Sequence, residues 1–183
     1  MKIARPVTLV SLFLIVSLSL GLPAPAHAQQ PMPQAVPQGA TYEVGFSPYG
    51  TALSVVLHAI ESAKTSINVA CYEFTSRPIA DALILASKNG IKVAIVADYK
   101  ASLQRYSLIP YIAQHGVPVR RDSRYQIEHN KFIVADQNVE TGSFNYTSAA
   151  TAHNAENALL ICAVPDIAAQ YLAEWQRLWE ESR

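Results

Sequence analysis

Three times between residues 41 and 115 a short apolar run of strand length is followed by an amphipathic run of helical length. That alternation marks a layered α/β domain. Tyr42, Val44 and Phe46 alternate as a strand, and Leu53, Val56, Leu57 and Ile60 then recur at helical spacing within 49–63, entered through Ser47-Pro48. The run 66–72 (SINVACY) reads as a buried strand. A helix follows over 76–88, with Ile79, Leu83, Ile84 and Ala86 on one face and Gly90 just past its end, where a left-handed backbone is favoured. A third strand spans 91–97, and a broken helical stretch over 103–115 is interrupted at Pro110 and closed by Gly116.

The second half has another texture. Short strand candidates at 117–120, 126–128, 131–135 and 157–164 have little helix between them, so hairpins extend the sheet. A closing helix over 166–181 puts Ile167, Tyr171, Leu172, Trp175, Leu178 and Trp179 on one face, as core residues. The expected fold is α/β: a single-domain layered sandwich with a central mixed β-sheet flanked by helices.

The first residues read as an address. Lys2 and Arg5 precede an uncharged apolar run over 7–22, and Ala26-His27-Ala28 is a small-x-small cleavage site. The expectation is a signal peptide over 1–28 removed near Ala28, a flexible Gln- and Pro-rich leader over 29–40, and the domain over 41–183. Such a chain ends in the periplasm or is secreted, with no stable membrane anchor after cleavage. Lys+Arg and Asp+Glu both number 14, and half the residues are apolar, which excludes a disordered tail and a generally basic nucleic-acid binder. Cys71 and Cys162 each sit inside an apolar run, as buried thiols or as the one bridge two cysteines allow.

The chemistry concentrates in 128–157. His129 and Lys131 lie two apart at the head of an apolar run, so on a strand they share a face, and an imidazole beside an ammonium suits an anionic substrate. Gly142 permits close backbone approach, while Ser143 and Asn145, again two apart, offer neutral donors to one side. Together they describe a phosphate cradle with a nucleophile in it. A metal site at Glu128, His129 and Asp136 is the weaker reading, because Lys131 places a positive charge beside any cation.

His129-x-Lys131-x4-Asp136 followed by Gly142-Ser143-x-Asn145 resembles the HKD motif of the phospholipase D superfamily. With the α/β pattern, the export signal and Asn154-x-Glu156-Asn157, nearly the whole chain after residue 28 is similar to the small single-motif bacterial endonucleases of the Nuc type. One departure is the five residues between Asp136 and Gly142, where the family usually has six. The shortening falls in a turn, where deletions are tolerated if the register of Ser143 and Asn145 is recovered.

The resemblance implies a phosphodiesterase of DNA or RNA, with little sequence preference, that uses neither cofactor nor metal. His129 is then the nucleophile that forms a phosphohistidine, and Glu156 holds the other imidazole nitrogen. Lys131, Ser143 and Asn145 hold the phosphate oxygens, and Asp136 makes a structural salt bridge or turn contact. A second HKD histidine supplies the general acid in this superfamily, and the chain has one motif, so the resemblance implies a homodimer with the site at its interface. His58 and His115 read as surface or capping histidines; His153, three before Glu156, keeps more interest. Arg120, Arg121 and Arg124, with Lys100 and Arg105, form a basic rim or a solvated loop, and Arg124 is the residue assigned to substrate. Tyr99, Tyr106 and Tyr125 interleave with these charges, as platforms for unpaired bases or as ordinary loop tyrosines. Glu73, at the end of a central strand, is expected near the cleft. Phospholipid is the alternative substrate for the same residues, and a phosphate-cradling module that only binds nucleic acid is a third reading.

Overall fold

The computed structural model describes residues 33–48 and 50–183, and the signal segment 1–28 and the start of the leader lie outside the described residues. Residues 33–40 form neither helix nor strand, and Ala35–Arg183 is one compact unit. Its elements are β1 (Thr41–Ser47), α1 (Thr51–Ser62), β2 (Ser66–Cys71), α2 (Arg77–Lys88), β3 (Lys92–Asp98), α3 (Tyr99–Ser102) and α4 (Ile109–Gln114). There follow β4 (Val119–Asp122), β5 (Lys131–Ala135), β6 (Asn138–Gly142), α5 (Ser148–Ala152), β7 (Glu156–Cys162) and α6 (Pro165–Glu181).

The seven strands form one sheet in the order β1-β7-β6-β5-β2-β3-β4. Strands β2, β3 and β4 run parallel and the other pairs antiparallel, which is the mixed sheet the sequence pattern implies. Because β5 runs against β2, the start of β5 meets the ends of β2, β3 and β4 at one edge. The end of β6 and the start of β7 arrive at that same edge.

Each face of the sheet buries a separate core. On one side Val56 and Ile60 of α1 and Ile79 and Leu83 of α2 pack on Ile67, Ile95 and Ile133. On the other, Trp175 and Leu178 of α6 cover Ala70, Val96, Phe132 and Val134. Burial of such side chains stabilises the fold by about 1.5–3 kcal/mol each. Trp175 is a core residue as its helical stripe implies, and its Nε1–H donates to the Val69 carbonyl at 2.9 Å. Among the described residues no helix is long and apolar enough to cross a membrane.

Three local readings change. β4 lies two residues later than the 117–120 pattern, because parallel pairing with β3 sets Val119 opposite Ile95 and Asp122 opposite Asp98. Pro110 sits in the first turn of α4 and so starts a helix where an interruption was expected. Residues 126–128 form no strand, since the Glu128 N–H donates to Asp98 Oδ2 at 3.0 Å and is lost to any ladder. Both thiols are free. β6 and β5 lie between β7 and β2, so Cys162 and Cys71 are separated by roughly 14 Å across the sheet at ~4.8 Å per strand, and by four further residues along it, beyond disulfide reach.

Asp136 settles its own role. It turns the β5–β6 hairpin at φ 54°, and its carboxylate accepts the backbone N–H groups of Lys64 (2.6 Å), Thr65 (3.1 Å) and Ser66 (2.8 Å). It makes the expected turn contact, tying the hairpin to the connection between α1 and β2. The short spacing is absorbed in a turn of two residues: Ala135 pairs with Asn138 and Phe132 with Thr141, so the ladder runs unbroken toward Ser143. Asp136→Ala should lower stability in urea by about 1–3 kcal/mol, the usual cost of leaving such donors without a charged acceptor.

Candidate active site

His129 is exposed and lies in the loop 123–130, before the first residue of β5 and not on the strand as the spacing suggested. Three buried carboxylates hold that loop. Asp98 accepts the N–H of Ala101 (2.7 Å) and that of Glu128 (3.0 Å), so one side chain joins α3 to the residue before His129. Glu128 accepts the Asn130 N–H at 3.1 Å, and Asp122 accepts those of Arg124 and Tyr125 at 2.7 and 3.2 Å. Burial raises the Glu128 carboxyl above its ordinary range, against the lowering effect of the Asn130 bond.

Lys131 opens β5 beside this loop, half-buried, and its Nζ donates to the His129 carbonyl at 2.6 Å. Burial lowers its pKa, opposed by the nearby carboxylates of Glu128, Glu156 and Glu73. The Tyr72 ring lies 4.9 Å from the imidazole and 5.7 Å from the Lys131 Nζ, walling both.

The neutral donors come from the end of β6. A Cβ at Gly142 would stand 2.2 Å from the Asn157 carbonyl oxygen, so glycine is required there for β7 to approach. The exposed Ser143 is held from two sides. Its hydroxyl donates to Glu156 Oε2 at 2.6 Å and accepts from the Asn157 backbone N–H and side-chain amide at 3.1 and 3.2 Å. Asn145 follows, half-buried between Phe144 and Tyr146, with its Oδ1 buried and without a donor.

Glu156 therefore differs from its expected place. Its oxygens are taken by Ser143 and by the Asn154 amide at 3.1 Å, where the imidazole of His129 was expected. His129, Lys131, Ser143 and Gly142 meet around a hollow of about 330 Å³ whose far wall is Tyr171 of α6. A second hollow of about 300 Å³ shares His129 and Asn130 and continues toward Tyr125, Ile127 and Arg177. A larger one, about 380 Å³, opens among Ile60, Ala82 and Leu85, away from all these groups.

The basic rim divides. Arg120 is spent on structure, donating to the Trp179 carbonyl at 2.6 Å with its guanidinium 4.5 Å from that ring. Arg124 lies 3.6 Å from Glu181 and, with Tyr99, Lys100 and Tyr125, lines a hollow of about 310 Å³ next to the loop of His129. His58 pairs with Glu43 at 2.7 Å on the surface, His115 Nδ1 lies 2.8 Å from the Tyr111 carbonyl, and His153 caps α5. Glu73 and Tyr106 line a separate hollow of about 170 Å³ with Asn154.

Tyr171 and Asn157 were not singled out for the site from sequence. The first is hidden in a core stripe, and the second gains its meaning only when β7 meets β6. The pair Glu140 and Tyr146 was missed as well. Both are buried under the Ser143 loop, the Tyr146 hydroxyl donates to Glu140 Oε2 at 2.8 Å, and burial pushes the Glu140 carboxyl up to about 8. The sequence offered no signal for it, since 138–142 (NVETG) has a single apolar side chain and was not among the strand candidates.

Set beside known proteins, residues 56–179 match the family described as cardiolipin synthase, PLD-like domain. The chain is similar to the mitochondrial cardiolipin hydrolase of Homo sapiens, 31% identical over 162 residues that cover 87% of this chain and 61% of that protein. It is similar also to a phospholipase D of Rickettsia typhi, 36% identical over 131 residues that cover 71% of this chain and 64% of that one. It thus spans about three fifths of the length of these curated relatives. Among solved structures it resembles Nuc from Salmonella typhimurium, a phospholipase D family member, at 45% identity and TM-score 0.76, covering 79% of this chain and 97% of that one.

The raised Glu140 carboxyl has a consequence for stability. Between pH about 4.5 and 8 the native protein keeps a proton that the unfolded chain has lost, so this contribution is full below that window and falls as pH rises through it. Glu140→Gln should remove that dependence. Urea unfolding at pH 5 and pH 8 is expected to show a slope shallower in the variant, by up to about 1.4 kcal/mol per pH unit.

Proposed function

Since the chain belongs to the phospholipase D superfamily, we propose that it is an exported phosphodiesterase that hydrolyses DNA and RNA without a metal ion, through a covalent phosphohistidine on His129. The observation that carries this reading is the single hollow in which an exposed imidazole, an ammonium and a serine hydroxyl converge. One neutral nitrogen of His129 attacks phosphorus, and the bond to the leaving oxygen breaks. Lys131, Ser143 and Asn145 hold the non-bridging oxygens where negative charge accumulates. Water then cleaves the phosphorus–nitrogen bond, releasing a phosphomonoester and restoring the imidazole. The single Ser143 proton, given to Glu156 here, turns from that carboxylate to a phosphate oxygen for the hydroxyl to take part. Lys131 at the head of β5 supplies the positive charge that a metal would otherwise bring.

The leaving oxygen needs a proton, and each chain brings one HKD histidine. The reading therefore includes a homodimer whose two-fold axis sets a second His129 across the cleft. The surface that suits it lies beside the site. Tyr42, Val44 and Phe46 are exposed along β1, at the edge of the sheet, and Phe46 pairs with Asn157. Arg124, Lys100 and Tyr125 are the residues placed to follow a nucleic-acid strand away from His129.

A second reading keeps the same residues and makes the substrate a phospholipid. It is favoured by the curated relatives named for cardiolipin and phospholipid hydrolysis, and by Leu103 and Ile127, exposed on loops at the site's edge of the sheet. One experiment separates the two. Plasmid DNA, RNA and cardiolipin vesicles are incubated in EDTA with the wild type, His129→Ala and His58→Ala. The expected result is cleavage of nucleic acid by the wild type and His58→Ala, lost in His129→Ala, with the active species sedimenting as a dimer. Cleavage of vesicles alone would move the substrate to lipid, and full activity in His129→Ala or in a monomer would remove the nucleophile or the shared cleft.

A further inference from the structure

Ser143 and Asn145 act at a distance set by their backbone, and their backbone is set by side chains the reaction never meets. Glu140 precedes Gly142 by two residues and Tyr146 follows Asn145 directly. Their hydrogen bond of 2.8 Å closes the chain over 140–146, the stretch that carries both donors. Glu140 is 1% exposed and Tyr146 fully buried. The backbone of Tyr146 is anchored too, its carbonyl accepting the N–H groups of Thr75 and Ser76, each at 2.9 Å, while Phe74 packs edge-on against its ring. Before it, the Phe144 N–H donates to the Asn157 carbonyl at 3.2 Å.

The two donors differ in what fixes them. Ser143 is held through its own hydroxyl by Glu156 and Asn157. The Asn145 Oδ1 meets no donor, so the direction of that amide follows from the chain on either side of it. What the Tyr146 hydroxyl adds is a fixed rotation of this segment about its anchor.

We propose that Glu140 and Tyr146 are positioning residues, a buried clamp that sets Asn145, and with it Ser143, at the spacing a phosphate requires; this rests on the reading of those two side chains as phosphate donors. A carboxyl in this place has no structural necessity of its own. Ile133 and Leu160 lie opposite Glu140 on the flanking strands, and α1 turns Ala52, Val55, Val56 and Ala59 toward the core. The titratable groups that face the pair are each other and Cys71 of β2, whose thiol burial pushes far up.

The test is turnover of bis(p-nitrophenyl) phosphate from pH 6 to 9.5 by the wild type, Tyr146→Phe, Glu140→Leu and Glu140→Gln. The kcat is expressed per folded molecule from near-UV circular dichroism, and inorganic phosphate affinity is measured by calorimetry beside it. Tyr146→Phe and Glu140→Leu should lower kcat by about tenfold or more. Glu140→Gln, which still accepts the phenol proton, should keep activity close to that of the wild type. Unchanged kcat per folded molecule in Tyr146→Phe and Glu140→Leu, or a loss in Glu140→Gln as large as theirs, overturns the clamp. A wild type that turns over no diester defeats the proposed function instead. Phosphate affinity then decides the clamp, which is supported if Tyr146→Phe binds more weakly and overturned if it binds equally.

Discussion

A carboxylate that accepts backbone N–H groups is the interaction on which this site depends. The segments that carry the polar side chains are loops, and a loop has no ladder to satisfy or fix its backbone. Here the carboxylates supply what the ladder does not. Asp98, Asp122 and Glu128 hold the loop of His129, and Asp136 ties the β5–β6 hairpin to the segment before β2. Glu140 acts through the Tyr146 hydroxyl on the loop of Ser143. Bonds to the ionised carboxylates among these are charge-assisted and stronger than neutral ones, and burial keeps solvent from competing for them, while the Glu140 carboxyl, pushed up to about 8, accepts as a neutral group.

The sheet decides where those loops meet. Placing β5 between β2 and β6 sets the ammonium of Lys131 beside Tyr72 on one flank and near Gly142 and Ser143 on the other. A parallel β5 would carry Lys131 to the opposite edge. The close approach of β7 at Gly142 then brings Glu156 and Asn157 against Ser143. Lys131 is half-buried by this packing and its ammonium is weakened by desolvation, while the surrounding carboxylates oppose the shift. A cation held in that balance attracts a phosphate without being neutralised in advance by a direct ion pair.

Much of this was legible in the sequence, for reasons particular residues make plain. Period-two and helical spacings are local, so Val69, Ile95, Leu83 and Trp175 declared their burial. The motif residues are local as well, and His129, Lys131, Gly142 and Ser143 do come together. What was not legible depends on partners distant in the chain. Glu128 could not show that its N–H would go to Asp98, so 126–128 passed for a strand. Glu156 could not show that Ser143 would occupy its carboxylate, and Arg120 could not show that Trp179 would claim its guanidinium. The shortened Asp136–Gly142 spacing was placed in a turn from sequence, and the hairpin register shows how that turn absorbs it.

The central claim is that His129 bonds to phosphorus. Enzyme and a short oligonucleotide in excess EDTA, quenched in alkali within the first turnover, can be digested and the peptides weighed by mass spectrometry. The account predicts a nucleotidyl or phosphoryl adduct on the peptide containing His129, transient in the wild type and absent in His129→Ala. Turnover with no adduct at any quench time, or an adduct on Ser143, would contradict it.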